Sequence, residues 1–259
     1  MSSAAEREPI IRVEDLVAGY GDRTIFDGVS FEVLRGEVFV ILGGSGSGKS
    51  TLLKVMIGLL RPWRGKVWIQ GRDVTSDDPE ERAKILRGIG VMYQQGALFG
   101  SMTLLENVRL PLEELTDLPD EAMDRIAASK LKLVGLEGFE DYYPSDISGG
   151  MRKRAAIARA MALDPAILFL DEPSAGLDPI TSAELDDTIL LLRDTLGITF
   201  VVVSHELASI EKIADRVLML DKDTRGVAAI GTPEYLRDHC EIEWVRRFFR
   251  RESRPEAAA

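Results

Sequence analysis

The chain has 259 residues, 32 Lys+Arg and 43 Asp+Glu, a formal net charge of −11, and ordinary hydrophobic (45%) and charged (29%) shares. That length suits one large domain or two lobes at roughly 150 residues per domain. Such a chain buries a core without a disulfide or metal staple. Cys240 is the only cysteine, which excludes an intrachain disulfide and fits a reducing compartment. No apolar run approaches the ~18 residues of a membrane span, and Met1–Pro9 carries no apolar leader, so a cytosolic chain is expected. The acidic balance argues against indiscriminate nucleic-acid binding, while leaving room for a local anion pocket.

Residues 1–9 read as a flexible N-terminus and Pro255–Ala259 as a frayed end. Short strands are predicted at Ile10–Leu16, Val29–Leu34 and Val38–Leu42, punctuated by Gly19, Gly21, Gly28 and Gly36. A helix should run from Lys49 to about Leu60, ended by Pro62 and Gly65. Lys66–Gln70 and Ile89–Tyr93 read as further strands. From about Ala97 to Ala162 the pattern turns helical. Within it Ala122, Met123, Ile126, Ala127 and Leu131 mark one face of a helix over Asp120–Val134. The unbroken apolar runs Ile167–Leu170 and Phe200–Val203 suit central parallel strands, and Ala183–Leu196 suits the crossover helix between them. The expected organisation is an α/β unit over 10–231 with a helical insertion at about 97–162, followed by a helical tail over 232–259.

Gly43-Gly44-Ser45-Gly46-Ser47-Gly48-Lys49-Ser50 fits G-x-x-x-x-G-K-[ST] between an apolar strand and a helix, the setting of a P-loop. Glycines let backbone N–H groups curl around phosphate oxygens. The following helix offers unpaired N–H groups and a positive dipole end. Lys49 is expected on the β- and γ-phosphates of a nucleoside triphosphate, and the Ser50 hydroxyl on Mg2+.

Ile167–Leu170 then runs into Asp171 and Glu172, at the strand end where ligands sit in open parallel sheets. Alone, acids there read as a solvated strand end. In a chain that also carries a P-loop, Asp171 is assigned to the metal and Glu172 to a base that polarises water. Ser148, followed by Gly149, Gly150 and Met151, is an N-cap candidate whose helix start lies open to an anion, or an ordinary helix start. His205, just past Phe200–Val203, is either a structural histidine or a γ-phosphate contact.

In this order and spacing these residues resemble the nucleotide-binding subunit of an ABC transporter, from about Ile10 to Gly231. The resemblance implies the P-loop NTPase fold of ABC ATPases. That fold has a RecA-like parallel-sheet core, an N-terminal antiparallel β-subdomain and an inserted α-helical subdomain. It also implies ATP and Mg2+ as ligands. Gly43–Thr51 is similar to the Walker A loop, adding Thr51 to the nucleotide contacts, and Asp171 and Glu172 to the Walker B aspartate and catalytic glutamate. Tyr20 is similar to the aromatic residue that stacks on adenine, or it is a turn tyrosine. Gln94 is similar to the Q-loop glutamine that senses Mg2+ and faces the transmembrane partner, with Gln95 beside it as a competitor. Ser148–Met151 is similar to the signature motif, although Met151 replaces its usual Gln and offers no amide hydrogen bond. Asp178, in Ala175-Gly176-Leu177-Asp178, is similar to the D-loop aspartate, and His205 to the switch histidine.

One copy of each motif implies a second copy of the chain, with Ser148, Gly149 and Gly150 closing over ATP held by the partner. Gln95-Gly96-Ala97-Leu98-Phe99, with Met102-Thr103, Glu106-Asn107-Val108, Pro111-Leu112 and Ser-Gly-Gly-Met-Arg-Lys-Arg, is similar to the Mla/Mce branch. That branch implies lipid movement across the bacterial envelope, a separate permease, Mce-domain and STAS-domain proteins, and a place on the cytoplasmic face of the inner membrane. An amino-acid or ion importer, and a soluble cassette acting on DNA or ribosomes, are the alternatives. In the tail, Trp244, Val245, Phe248 and Phe249 stand at helical spacing among Arg246, Arg247, Arg250 and Arg251. Such a helix docks on a partner or an anionic surface, or packs on its own domain.

Overall fold

The computed structural model describes residues 8–252. The expectations for Met1–Arg7 and Pro255–Ala259 lie outside the described residues.

The chain opens with β1 (Pro9–Tyr20) and β2 (Arg23–Leu34), an antiparallel hairpin turned at Gly21. With β4 (Arg64–Ile69) and β5 (Arg72–Asp73) they form a sheet in the order β2-β1-β4-β5. Both hairpin strands outrun their predicted lengths. Register shifts around Leu16, and Asp15 at φ 46, break the alternation a sequence pattern relies on, while the pairing itself continues to Tyr20.

The second sheet runs β10-β9-β3-β8-β7-β6. It comprises β3 (Val38–Gly43), β6 (Ile89–Met92), β7 (Ile167–Asp171), β8 (Thr199–Val203), β9 (Arg216–Asp221) and β10 (Gly226–Gly231). All of its pairings are parallel except β9 with β10. Its central strands are apolar because both faces are covered. Val38, Val40, Leu42, Leu168, Leu170, Phe200 and Val202 point into one core, shared with the helical insertion. Phe39, Ile41, Ile167, Phe169, Val201 and Val203 point into the other, shared with α1 and the N-terminal sheet.

Helix α1 (Lys49–Met56) stops short of Leu60. Gly58 turns the chain at φ 75, and the N–H groups of Leu59 and Leu60 both fold back onto the Lys54 carbonyl. A helix that hydrophobic spacing does not reveal, α2 (Pro79–Arg87), buries only Ile85 and is started by Asp78, whose carboxylate accepts from Glu80 N–H. The helical insertion holds α3 (Leu104–Leu115), with a Thr103/Glu106 capping box, and α4 (Asp120–Leu133). It also holds α5 (Gly149–Ala160). The crossover helix α6 (Pro179–Leu196) starts earlier than expected because Asp178 caps it.

Beyond β8 come α7 (Leu207–Ile213), α8 (Pro233–Asp238) and α9 (Glu243–Arg250). Of the two readings of the tail, the structure takes the second. Leu236, Cys240, Val245 and Phe249 are buried in the core of the helical side, with Trp244 and Phe248 packed against it. Among the described residues no helix is long and apolar enough to cross a membrane.

Candidate functional site

Parallel pairing brings the C-terminal ends of β3, β7 and β8 to one edge of the second sheet. The loop Gly43–Gly48 leaves β3 there and delivers the chain into α1. Its backbone adopts left-handed angles at Gly46 (φ 77) and Gly48 (φ 97). No side chain caps α1 and no acid sits in its first turn, so its N–H groups and positive dipole end are uncompensated. Ser47 Oγ is buried without a hydrogen-bond partner, while Gly44, Ser45, Gly46 and Ser50 are exposed. Lys49 Nζ lies along the loop and donates to the carbonyls of Gly43 (2.9 Å) and Gly44 (3.4 Å). Thr51 is buried on α1. Free donors, an ammonium and an orphaned hydroxyl in one cradle fit a polyphosphate.

Asp171 ends β7, level with Val203 of β8. Burial, and then Glu172, push its carboxyl above the usual range, while Lys49, Lys54 and Lys153 pull the other way. The P-loop lysine and this carboxylate therefore lie within electrostatic reach of each other at the same sheet edge. Glu172 takes φ 49, a left-handed angle costing a side-chain-bearing residue roughly 1–2 kcal/mol. Its N–H bonds the Val203 carbonyl at 2.8 Å, which holds the turn. The same turn aims its carboxylate at His205, with Glu172 Oε2 to His205 Nδ1 at 2.7 Å. Among the described residues no group of three or more His, Cys, Asp or Glu encloses a metal. A cation held by Asp171 and Ser50 would draw its other ligands from phosphate oxygens and water, as Mg2+ does in nucleotide sites.

Other expected residues stand around this centre. Tyr20 lies at the tip of the β1–β2 hairpin, 48% exposed. The side chains of Ile25 and Phe26 on β2 pack against Gly48. Gln94 and Gln95 follow β6 with exposed side chains. They differ in the backbone, since the Gln94 carbonyl receives the Lys153 ammonium. Ser148 caps α5, its Oγ accepting from Met151 N–H at 3.3 Å. Met151 is half-buried against the core, so its side chain serves packing. Gly149 and Gly150 lie against Leu177 and Thr181, placing the signature turn beside the D-loop. The Asp178 carboxylate caps α6, accepting from the N–H groups of Ile180 and Thr181 and from the Thr181 hydroxyl. These bonds hold its acid below the usual range.

Residues with no role in the motif reading tie these segments together. Ser182 on α6 donates to Glu206 (3.3 Å), and Asp186 on α6 accepts from Ser209 on α7, which brackets the His205 segment. Lys153 is buried, and its burial is not visible in a run of three cationic residues.

The family profile described as ABC transporter matches residues 26–175. The chain belongs to this family. It is 43% identical over 210 residues to the probable ribonucleotide transport ATP-binding protein Mkl of Mycobacterium leprae, covering 81% of this chain but 60% of that protein. It is 37% identical over 237 residues to the intermembrane phospholipid transport system ATP-binding protein MlaF of Haemophilus influenzae, covering 92% and 89%. A third relative is the methionine import ATP-binding protein MetN of Geobacillus kaustophilus, 41% identical over 79% of this chain and 59% of that protein. Among solved structures, the dimeric post-hydrolysis cassette MJ0796 bound to ADP and Pi matches with TM-score 0.76 and 32% identity, over 86% of this chain and 98% of that one. CbiO1 from Clostridium perfringens matches with TM-score 0.81 and 30% identity, over 88% and 90%. The fold is that of an ABC ATPase cassette.

Proposed function

We propose that this cassette binds and hydrolyses ATP to power a separate transmembrane permease, as a peripheral subunit on the cytoplasmic face of the inner membrane. The observation that carries the reading is the shared edge on which Lys49, Asp171, Glu172 and His205 meet. Backbone N–H groups of Gly43–Thr51 and Lys49 hold the triphosphate, and Tyr20 stacks on the base. Ser50, Asp171 and Gln94 would hold Mg2+, which would supply charge neutralisation for the phosphates. The Glu172 carboxylate takes a proton from the water that attacks the γ-phosphorus. The bond to the bridging β–γ oxygen breaks, giving ADP and phosphate. His205 holds the γ-phosphate and, by its bond to Glu172, fixes the carboxylate's direction.

A second copy supplies Ser148, Gly149 and Gly150 across the bound ATP, with Asp178 at the junction. The single set of motifs and the dimeric state of the MJ0796 cassette support this. The cargo is phospholipid or another lipid, with Mce-domain and STAS-domain partners. The near full-length likeness to MlaF supports that branch over methionine import, since the MetN match leaves much of that protein uncovered.

Glu172→Gln should keep ATP binding and lower turnover by about 10²-fold or more. Near-normal hydrolysis in that variant would remove Glu172 from the role. Lys49→Ala should lose nucleotide binding, read by fluorescent-nucleotide titration, and unchanged affinity would overturn the loop's assignment. Tagged full chain purified from native membranes should bring a permease and an Mce-domain protein. Recovery with a methionine-binding partner instead would overturn the lipid branch.

A further inference from the structure

Lys153 lies one turn into α5 and is only 8% exposed. Desolvation pulls its pKa down, while Glu172 and Asp171 oppose that. A buried ammonium needs partners that satisfy its three donors. The partners here are main-chain carbonyls from two different segments, Gln94 after β6 and Glu172 after β7, the latter at 3.4 Å. Two turns further along α5, Arg159 grips the same loop after β6. Its guanidinium donates to the carbonyls of Gly96 and Ala97, each at 2.8 Å. Of these two side chains, Lys153 alone reaches both loops.

The Glu172 contact has a specific consequence. Glu172 holds a left-handed angle that its side chain disfavours, and its carboxylate direction follows from that turn. The turn is secured on one side by its N–H to Val203 and on the other by Lys153 at its carbonyl. We propose that Lys153 is a positioning residue for ATP hydrolysis, joining the helix of the signature motif to the Gln94 loop and fixing the turn that aims Glu172. Movement of α5 thereby reaches the carboxylate through one side chain. The inference rests on the assignment of Glu172 as the base.

The test uses the purified full chain with Mg-ATP, its rate expressed per bound nucleotide. Lys153→Met should lower kcat by about 10-fold or more, the scale of a slightly misplaced catalytic group, with KM for ATP and fluorescent-nucleotide affinity unchanged. Lys153→Arg, which keeps a cation with several donors, should recover part of that loss. In the Glu172→Gln background, Lys153→Met should have no further effect, because a residue acting through Glu172 has nothing left to position. Lys130→Met provides the stability comparison. It also removes a buried lysine, one paired with Asp164 at the far side of the insertion. It should lower Tm and leave kcat per bound nucleotide intact. If Lys153→Met keeps the wild-type kcat, or multiplies with Glu172→Gln, the positioning role is wrong. If Glu172→Gln itself hydrolyses ATP normally, the underlying assignment fails instead.

Discussion

Two glycines of the P-loop share a left-handed backbone but not a neighbourhood, so the same substitution should separate conformational strain from collision. At Gly48 (φ 97) an added Cβ would lie 2.5 Å from both Ile25 Cγ2 and Phe26 Cζ, on the hairpin that covers α1. At Gly46 (φ 77) nothing lies within 4 Å. The left-handed angle costs a side-chain-bearing residue roughly 1–2 kcal/mol at either site. The overlap at Gly48 adds about 1–3 kcal/mol, the usual cost of overpacking. Gly48→Ala should then cost about 2–5 kcal/mol, a Tm loss of about 4–20 °C for a chain of this size, against about 2–8 °C for Gly46→Ala. Thermal unfolding of the full chain, followed by intrinsic fluorescence, reads both. A Gly46→Ala loss equal to or larger than that of Gly48→Ala would refute the role given to Ile25 and Phe26 as the wall behind the loop.

Asp171→Asn should raise Tm near pH 8. Burial and Glu172 raise the folded-state pKa, so the ionised form burdens the folded protein at high pH and that burden lifts as pH falls toward the ordinary aspartate value. The gain should shrink toward pH 4, and no gain at any pH refutes the burial argument. Arg216→Ala should cost about 3–5 kcal/mol in urea unfolding, because it strands the buried Glu37 carboxylate that Arg216 holds at 2.8 and 2.9 Å. A loss under about 1 kcal/mol would mean solvent already satisfies Glu37. Phe249→Ala should cost about 3–5 kcal/mol as a core truncation, measured the same way. A surface-like loss would show that the tail does not pack on its own domain.

The candidate site is legible in the sequence because its residues sit at the ends of apolar runs. Leu42 into Gly43, Leu170 into Asp171 and Val203 into Ser204 each mark a strand running out of the core, and parallel pairing brings those ends together. The order of the strands is not in any one run. Helix α2 escapes because a helix that buries a single residue has almost no apolar period. The edge strand β10 escapes for a similar reason: none of its residues is fully buried, so no strong pattern forms. Lys153 escapes because the local spacing of Arg152, Lys153 and Arg154 says nothing about which of three cations turns inward. Only the position of the Gln94 and Glu172 carbonyls, 59 and 19 residues away in sequence, decides that.

The tail shows how one composition supports two physical outcomes. Aromatics at helical spacing among arginines suit a membrane-facing helix as well as a packed one. Burial of Val245 and Phe249 decides between them, and the arginines are then drawn into local work. Arg246 donates to the Cys240 carbonyl, Arg250 to the Arg237 carbonyl at 3.1 Å, and Arg247 pairs with Glu243. The first two contacts cap α8 and brace α9 against it, and the third lies within α9, so these cationic groups hold the tail's own helices together while the buried apolar face seats them on the cassette. Removing the chain from Glu241 onward would therefore open the core of the helical side. Any loss of subunit association after that deletion would report on folding first. A test of association has to leave Val245 and Phe249 in place and alter only exposed positions, such as Tyr235 on α8.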